Sequence, residues 1–420
     1  GHTQYHAYMR VINTEKLESI LGGLGPNPRI VCSGNFATPK FLLDEVDKLL
    51  PEYRLHILNA QEGIPDRPGV SYETAFVGPG MRHHESLEYI PARLSLVPEL
   101  LRDHYHPDVV LLNTSTPRHD TVSLGIEVNV MPAAIESARE RGGIVIAQAN
   151  KYMPYTYGDA QIYEDEIDYL IEVDEPLNEH IPVVADEVSR SIGESIAARV
   201  LDNSTLQSGI GGVPDAVLES LTQRKGLRIW TEMFSDGVLD LHKVGALDPD
   251  RALTASFLFG SRELYDWVHL NTKVHMMRTE HTNNPGKIEK QAQMVSVNSA
   301  LEVDLLDQAN ASRIKGRIYS GFGGQTDFIV GSLHSRGGQS FIALPSWHKK
   351  ANVSTIVPML SNPVTSFQHS AVATENGIAD AFGRSQAQQA LNIINYAAHP
   401  SVREDLTKAA VDLGLIDKVM

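Results

Sequence analysis

One stretch, residues 204–241, constrains the fold of this chain more than any other. It begins with a β-prone run at 204–207, and a glycine turn follows at 209–212. Pro214 then stands where the first turn of a helix tolerates proline, because the missing N–H would be unpaired there in any case. Apolar residues recur at helical spacing after it, and a second apolar run ends at Glu232. The stretch predicts a strand, a glycine turn, a helix and a second strand that ends in a carboxylate.

This arrangement favours a ligand site but does not require one. In open α/β sheets ligands bind at the carboxyl ends of the strands, and backbone N–H groups of a glycine turn entering a helix attract anions. A carboxylate beside such a turn can act as a covalent nucleophile with an oxyanion hole nearby. The alternative is a tight connection followed by a solvated glutamate. The residues of this stretch leave both interpretations open.

The first half of the chain alternates short apolar runs with helical patterns, which is typical of βαβ units and a mainly parallel sheet. The predicted strands lie near 29–32, 55–58, 109–112, 143–147 and 169–173, and the predicted helices span 39–50 and 133–141. Polar segments follow two of these strands, at 113–117 after the third strand and at 148–150 and 153–158 after the fourth. Loops at strand ends are natural places to bind a substrate.

The length of 420 residues indicates more than one domain. A proline-containing acidic segment at 174–182 interrupts the alternation, and a long helix is predicted after it. We therefore predict an N-terminal α/β domain over residues 1–185 and a C-terminal α/β domain over 186–420. The second domain restarts the strand–glycine–helix pattern, which suggests two related α/β lobes with mainly parallel sheets.

The second half also contains a denser glycine cluster at residues 320–328. Glycines there would let an extended ligand approach the backbone closely. A buried strand is predicted at 341–345, and the basic pair Lys349 and Lys350 comes soon after it. The pair is equally consistent with a solvated surface, but its place after the glycine cluster favours phosphate contact.

Composition excludes several classes of function. The net charge of -16 argues against a nucleic-acid partner, although a local basic pocket could still hold a small anion. The single cysteine, Cys32, cannot form an internal disulfide, which fits a reducing cytoplasm, and no apolar run reaches membrane-spanning length.

Serine-hydrolase (GxSxG) and dinucleotide-binding (GxGxxG) signatures are absent. His83 and His84 lack the i, i+4 spacing and the flanking carboxylate of a helical metal pair, so no metal site is predicted.

Taken together, these residues resemble the acetyl-CoA hydrolase/transferase family of class I coenzyme A transferases. The similarity is strongest to the branch typified by 4-hydroxybutyrate CoA-transferases. Six segments carry the resemblance, and they follow one another in the family's order: 76–79, 207–218, 231–237, 296–304, 321–328 and 374–380. They span nearly the whole chain, which makes the match far more specific than any single glycine motif.

The resemblance implies that Glu232 is a covalent nucleophile. It would attack the thioester of a short acyl-CoA such as acetyl-, butyryl- or succinyl-CoA, and a glutamyl–CoA thioester would form. A short carboxylate such as 4-hydroxybutyrate would then take the CoA in a ping-pong exchange. Backbone N–H groups near Gly211, Gly212 and Gly324 are the expected oxyanion donors. The ionised carboxylate is expected to keep polar neighbours.

The resemblance also implies binding residues on both lobes, with the active site in the cleft between them. The expected CoA-binding residues are Gln207, Gly209, Gly321, Gly323, Gln325, Asp327, Lys349, Lys350, Glu375, Asn376 and Arg384. The expected substrate-pocket residues are Asn35, Pro79, Tyr155 and Tyr157. The two tyrosines stand where the family commonly has arginine and histidine, which suggests a different acceptor preference.

The implied enzyme is a cytoplasmic homodimer that uses CoA and acyl-CoA as substrates, with no tightly bound cofactor, no nucleic acid and no membrane. Three alternatives remain. An acyl-CoA hydrolase would use water to resolve the same glutamyl intermediate, and a transferase could be specific for itaconate or succinate. A non-catalytic CoA- or nucleotide-binding protein would be indifferent to replacement of Glu232.

Overall fold

The computed structural model describes residues 10–365 and 368–417, which form two compact units. The first unit contains the chain up to His180 together with Ala252–Thr282 and Tyr319–Gly323. The second contains Ile181–Arg251, Asn283–Ile318 and the chain from Gly324 onwards. The sequence predicted a single division near residue 185. That division stays a prediction, and in the structure the chain returns twice to the first unit, at residues 252–282 and 319–323.

A parallel sheet forms the centre of the first unit. All of its neighbouring strands are parallel. In spatial order its described strands are Arg10–Val11, Tyr169–Val173, Ile144–Asn150, Val109–Thr114, Arg29–Cys32, Tyr53–His56, Val70–Thr74 and Leu87–Tyr89. Every residue of Val109–Thr114 is buried, as expected for a parallel strand covered on both faces. The alternation of the sequence therefore predicted this sheet correctly.

Helices of the first unit follow its strands in the βαβ pattern. They are Glu15–Leu21, Lys40–Leu49, Val97–Asp103, Met131–Arg141, Arg262–Val268 and Thr279–Thr282. Short 3₁₀ turns occur at Asn35–Ala37, Leu94–Leu96 and Glu164–Glu166. Pro132 lies in the first turn of its helix, and Gly142 ends that helix with a left-handed φ of 76°.

The returning segment Ala252–Thr282 joins the first unit through a small parallel sheet. Strand Val274–Met276 lies between Leu253–Ala255 and Tyr157–Gly158. Strand Gln161–Tyr163 pairs with Thr121–Ser123 in the same unit. Residues on either side of position 185 thus depend on one another for their backbone pairing.

The second unit has its own mainly parallel sheet. In spatial order the described strands are Arg228–Ile229, Thr205–Ser208, Met294–Ser299, Gln339–Ala343, Ala371–Thr374 and Gly377–Asp380. Only the last pair is antiparallel, and it forms a hairpin. Smaller ladders join Glu302–Asp304 to Ala309–Asn310 and Ile356–Val357, Arg313–Ile314 to Arg317–Ile318, and Trp347–His348 to Val353–Ser354.

Helices of the second unit are Glu187–Ala197, Gly212–Glu219, Asp236–Lys243, Pro285–Ile288, Gln325–His334, Gln386–Asn392 and Arg403–Asp412. A π-helical turn, Ile393–Ala397, and a 3₁₀ turn, Pro400–Val402, separate the last two. Pro400 lies at the first position of the 3₁₀ turn, where its missing N–H costs no hydrogen bond. The fold class is therefore α/β with mainly parallel sheets, as predicted. The described part of the chain contains no helix with the length and apolar character that a membrane crossing requires.

Candidate active site

Glu232 follows the edge strand Arg228–Ile229, at the carboxyl ends of the second unit's parallel strands. The neighbouring residue Thr231 is buried, and its hydroxyl donates to the carbonyl oxygen of Met233 at 2.8 Å. A longer contact of 3.4 Å joins the same hydroxyl to the carbonyl of Ser208, where the adjacent strand ends. The carboxylate therefore stands at the strand end that the sequence predicted, on a backbone held by its neighbours.

Asn283 supplies the polar partner of this carboxylate. Its side chain is fully buried, and Nδ2 donates to Oε1 of Glu232 at 2.9 Å. The expectation that Glu232 keeps a polar neighbour is confirmed. Asn283 was not among the residues predicted from the sequence. The one available signal was the pair of asparagines before Pro285, of which Asn284 caps the helix Pro285–Ile288.

Gly324 lies directly against the Glu232 carboxylate. A Cβ atom built at residue 324 would be 2.0 Å from Oε1 of Glu232 and 2.3 Å from Nδ2 of Asn283. No side chain fits there, because such contacts are far shorter than van der Waals distances. Gly324 also begins the helix Gln325–His334, whose first turn contains the buried Asp327. The glycine keeps space free at the carboxylate oxygen.

The surroundings of Glu232 raise its pKa to about 7. Burial is the main cause, since it penalises the charged form of a carboxyl group. The hydrogen bond from Asn283 lowers the pKa, and the negative charge of Asp327 raises it further. Near neutral pH the group thus titrates between a protonated form and a poorly solvated carboxylate. A carboxylate with little solvent around it is a stronger nucleophile than one in bulk water.

The other two glycines expected to supply oxyanion donors lie at the start of the helix Gly212–Glu219. Gly211 has a φ of 123°, which favours glycine. A Cβ at Gly212 would be 2.7 Å from Oγ of Ser189, so helix packing accounts for that glycine. The contact with the Glu232 carboxylate is made by Gly324. The role of Gly211 and Gly212 stays a prediction.

Two members of the glycine cluster belong to the first unit. A Cβ at Gly321 would be 2.6 Å from the carbonyl oxygen of Ala75, and one at Gly323 would be 3.3 Å from the Phe76 ring. The carbonyl of Gly323 also accepts from the N–H of Leu94 at 2.8 Å. Close approach of two backbone segments therefore explains these glycines. Their predicted contact with CoA stays a prediction.

Two polar residues expected to bind CoA lie near strand ends of the second unit. Gln207 exchanges side-chain amide hydrogen bonds of 3.3 Å with Asn298 on the adjacent strand. Gln325 donates to the carbonyl of Ser299 at 2.9 Å. Gly209 follows the same strand end as Gln207 and lines a small pocket whose wall also includes Thr231. Gln207, Gly209 and Gln325 therefore lie near the same edge of the sheet as Glu232.

The basic residues expected to hold phosphates are exposed. Lys349 and Lys350 form the tip of the hairpin that joins Trp347–His348 to Val353–Ser354. Arg384 borders a surface pocket whose wall also includes Asp380. Exposure leaves all three available to a phosphate group.

Glu375 and Asn376 form the turn between strands Ala371–Thr374 and Gly377–Asp380, and both contact Ser346. Oε1 of Glu375 accepts from the Ser346 N–H at 2.7 Å, and Nδ2 of Asn376 donates to the Ser346 hydroxyl at 3.0 Å. These bonds hold the turn against Ser346. Contact of both side chains with CoA stays a prediction.

The residues expected to form the substrate pocket all belong to the first unit. Asn35 is buried, donates to both Glu127 carboxylate oxygens at 3.0 Å, and accepts from Asn59 at 2.9 Å. These bonds fix the orientation of the Asn35 amide, and its contact with a substrate stays a prediction.

The two tyrosines form a separate group in the same unit. The hydroxyl of the buried Tyr155 lies 2.5 Å from that of Thr121, and its ring meets the Tyr157 ring edge-on at 5.6 Å. Pro79 is half-buried in a loop where the Gly80 N–H donates to the carbonyl of Ala60. Contact of these residues with a substrate stays a prediction.

Comparison with known proteins gives a consistent result. Two family models match the chain, the acetyl-CoA hydrolase/transferase N-terminal domain over residues 69–184 and the corresponding C-terminal domain over residues 260–410. The chain is 39% identical over 331 residues to the 4-hydroxybutyrate coenzyme A transferase of Clostridium kluyveri, an alignment that covers 76% of each chain. It is 36% identical over 422 residues to the succinyl-CoA:acetate/propanoyl-CoA:succinate CoA transferase of Fasciola hepatica, with 94% and 87% covered.

Solved structures resemble the whole chain as well. The crystal structure of RipA from Yersinia pestis superposes with a TM-score of 0.87 at 27% identity, covering 97% of this chain and 98% of that one.

Proposed function

The chain belongs to the acetyl-CoA hydrolase/transferase family, and from that premise we propose that it transfers CoA between a short acyl-CoA and a short carboxylate, with Glu232 as the nucleophile. One observation carries this proposal. The Glu232 carboxylate accepts a hydrogen bond from the buried amide of Asn283, and the missing side chain of Gly324 leaves room at the same oxygen. A nucleophile of this kind needs both a donor and space for an incoming carbonyl group.

The reaction proceeds through acyl exchange at Glu232. A carboxylate oxygen of Glu232 attacks the thioester carbonyl, the C–S bond breaks, and a mixed anhydride and CoA thiolate form. The thiolate attacks the glutamyl carbonyl of the anhydride, which releases the donor acid as its carboxylate and leaves a glutamyl–CoA thioester. An acceptor carboxylate reverses both steps and departs as its CoA ester. The thioester bond energy is conserved throughout, because no step consumes water.

Asn283 and Gly324 stabilise the negative charge that develops in these steps. Each attack converts a carbonyl group into a tetrahedral oxyanion, which requires N–H donors at hydrogen-bonding distance. The Asn283 amide already lies 2.9 Å from Glu232 and can shift from the carboxylate to an oxyanion. The Gly324 N–H, at the start of a helix, is the second donor, and the helix dipole supports it.

The acceptor is a short carboxylic acid. Relatives named for 4-hydroxybutyrate, acetate and succinate support this class of substrate. CoA and acyl-CoA are substrates rather than bound cofactors. We further propose a homodimer located in the cytoplasm, in accordance with the family resemblance and the single buried cysteine.

Intact-protein mass spectrometry after mixing with acetyl-CoA tests the nucleophile. We expect an adduct of CoA mass that borohydride removes, with the reduced residue mapped to Glu232. Glu232→Gln, which keeps the size and polarity of the side chain, should form no adduct. An adduct that persists in this variant, or one mapped to another residue, would refute the assignment.

Consumption of acetyl-CoA with and without an added carboxylate separates transfer from hydrolysis. A transferase consumes thioester rapidly only when an acceptor acid is present and yields the acceptor's CoA ester. Equal rates in both conditions would instead indicate a hydrolase, in which water resolves the same intermediate. A panel of acetate, butyrate, 4-hydroxybutyrate, succinate and itaconate then identifies the acceptor.

A further inference from the structure

Three metal-ligating side chains meet in the first unit, and none of them is among the residues assigned to CoA transfer. They are Asp66, His83 and His84, and one donor atom from each lies within 4.8 Å of the other two. Asp66 belongs to the loop before strand Val70–Thr74, and the two histidines belong to the loop after it. The sequence has no carboxylate in a ligand pattern beside the two histidines. In the structure, Asp66 supplies one from another loop.

The distances fit a shared metal ion better than direct hydrogen bonds. His83 Nε2 is 3.6 Å from Asp66 Oδ2, and His84 Nδ1 is 3.6 Å from Asp66 Oδ1. Separations of 3.6 Å are too long for hydrogen bonds. Ligand atoms about 2.0–2.1 Å from a tetrahedral Zn²⁺ lie about 3.3–3.4 Å from one another. One donor atom from each residue lies within 4.8 Å of the others, so an inward movement of the two loops would bring the three donors to that spacing.

Both sides of the cluster are held by the same tyrosine. The His84 ring stacks on the Tyr72 ring with centroids 3.9 Å apart, and the Tyr72 hydroxyl donates to the carbonyl of Pro65, the neighbour of Asp66. On the other side of Asp66, the guanidinium of Arg67 donates to Asp47 and to backbone carbonyls. The loops are thus preorganised, which reduces the entropy lost on metal binding.

His84 has the character of a ligand rather than of a surface histidine. Its side chain is 9% exposed, and Nε2 is buried without a hydrogen-bond partner. The nitrogen that faces Asp66 is Nδ1, so a metal ion in this cluster would bind Nδ1 rather than the buried Nε2.

We propose that Asp66, His83 and His84 form a Zn²⁺ site that joins the two loops flanking strand Val70–Thr74. Imidazole nitrogens with one carboxylate suit Zn²⁺ better than Mg²⁺ or Ca²⁺, which prefer oxygen ligands alone. The exposed sides of Asp66 and His83 leave a fourth position for water. The loop that carries the histidines also carries Arg82, which donates to the carbonyl of Tyr319. The metal would stiffen a loop that contacts the segment leading into the glycine cluster.

Titration of metal-free protein with ZnCl₂ in a calorimeter tests the site. The wild type should bind one Zn²⁺ per chain at this site, with a micromolar or lower dissociation constant. The variants His83→Gln, Asp66→Asn and His84→Phe should each raise that constant at least about tenfold. Phenylalanine retains the stacking on Tyr72, and His104→Gln, which alters an exposed histidine elsewhere, is the matched control and should bind as the wild type does.

Co²⁺ absorption and thermal melting give two independent readouts. Co²⁺ at this site should show the intense visible bands of tetrahedral coordination, and these should disappear in His84→Phe. Zn²⁺ should raise the melting temperature of the wild type and of His104→Gln but not of the ligand variants. Unsaturable binding, or binding unchanged in His83→Gln and Asp66→Asn, would overturn the proposal and identify the zinc as adventitious. Those two variants alter exposed side chains, so they decide the question even if His84→Phe does not fold.

Discussion

At the scale of single residues, the proposed role of Glu232 as the nucleophile predicts that its ionisation sets the pH dependence of the reaction. Its pKa is about 7, and only the ionised form can attack a thioester. We therefore expect kcat/KM for acetyl-CoA to rise with pH and to level off above about pH 8. Removal of the Asn283 amide in Asn283→Ala should move the midpoint to higher pH, because this hydrogen bond lowers the pKa. A rate that is flat from pH 5.5 to 8.5 would contradict the assignment.

Gly324 provides a second test at this scale. In Gly324→Ala the new methyl group would displace the Glu232 carboxylate or the Asn283 amide, since the Cβ would lie 2.0 Å from Oε1. A displacement of about 1 Å at a reacting group costs on the order of 100-fold in rate, and we expect at least that loss in kcat. Gly23→Ala is the matched control, because no atom lies within 4 Å of a Cβ there. Comparable activity of the two variants would show that Gly324 does not shape the site.

At the scale of elements, two helices pack closely at Gly193. They are Glu187–Ala197 and Gly212–Glu219. A Cβ at Gly193 would be 2.6 Å from the Cβ of Ala216 and 2.7 Å from its backbone carbon, so the helices would have to separate. Alanine favours a helix by up to about 1 kcal/mol over glycine. Overpacking of this kind costs about 1–3 kcal/mol and should dominate.

Urea denaturation measures the outcome for this helix pair. We expect Gly193→Ala to lower the free energy of unfolding, whereas Gly23→Ala should leave it unchanged or raise it slightly. A Gly193→Ala protein as stable as the wild type would mean that the two helices can separate at little cost. Because Gly212 begins the second helix and packs against Ser189 of the first, the same variant should also disturb the glycine turn.

At the scale of the whole molecule, the first unit depends on segments distant in the chain. Strand Tyr157–Gly158 pairs with Val274–Met276, the His180 N–H donates to the carbonyl of Gly260, and the Phe36 ring contacts the Phe259 ring at 4.4 Å. A fragment of residues 10–180 lacks these partners. We expect it to lose cooperative unfolding, because apolar surface and backbone groups buried in the intact chain would meet water.

Circular dichroism during urea titration of the fragment and of the full chain tests this expectation. The full chain should unfold cooperatively, and the fragment should show a broad transition or aggregate. A sharp transition of the isolated fragment would mean that the returning segments are dispensable, and the division near residue 185 would then describe an independent domain.

Local patterns in the sequence determined the elements and their order. Continuous apolar runs such as Val109–Thr114 predicted buried parallel strands, because such strands are covered on both faces. Glycine and proline marked helix ends such as Gly142 and Pro132. Glu232 was predicted to be the nucleophile from its place at a strand end and from the family resemblance. The family models match that resemblance. These signals are readable because periodicity and turn chemistry depend on neighbours in the chain.

Only the tertiary structure decided which distant residues meet. Asn283 donates to Glu232 across 51 positions of the chain, and Gly324 approaches the same oxygen from a third segment. Asp66 joins His83 and His84 because two loops lie on either side of one strand. The periodicity of the sequence does not predict these contacts, because they depend on how whole strands and helices pack. The sequence by itself determined the α/β fold and the choice of Glu232 as the proposed nucleophile, whereas packing decided the partners that shift the pKa of Glu232.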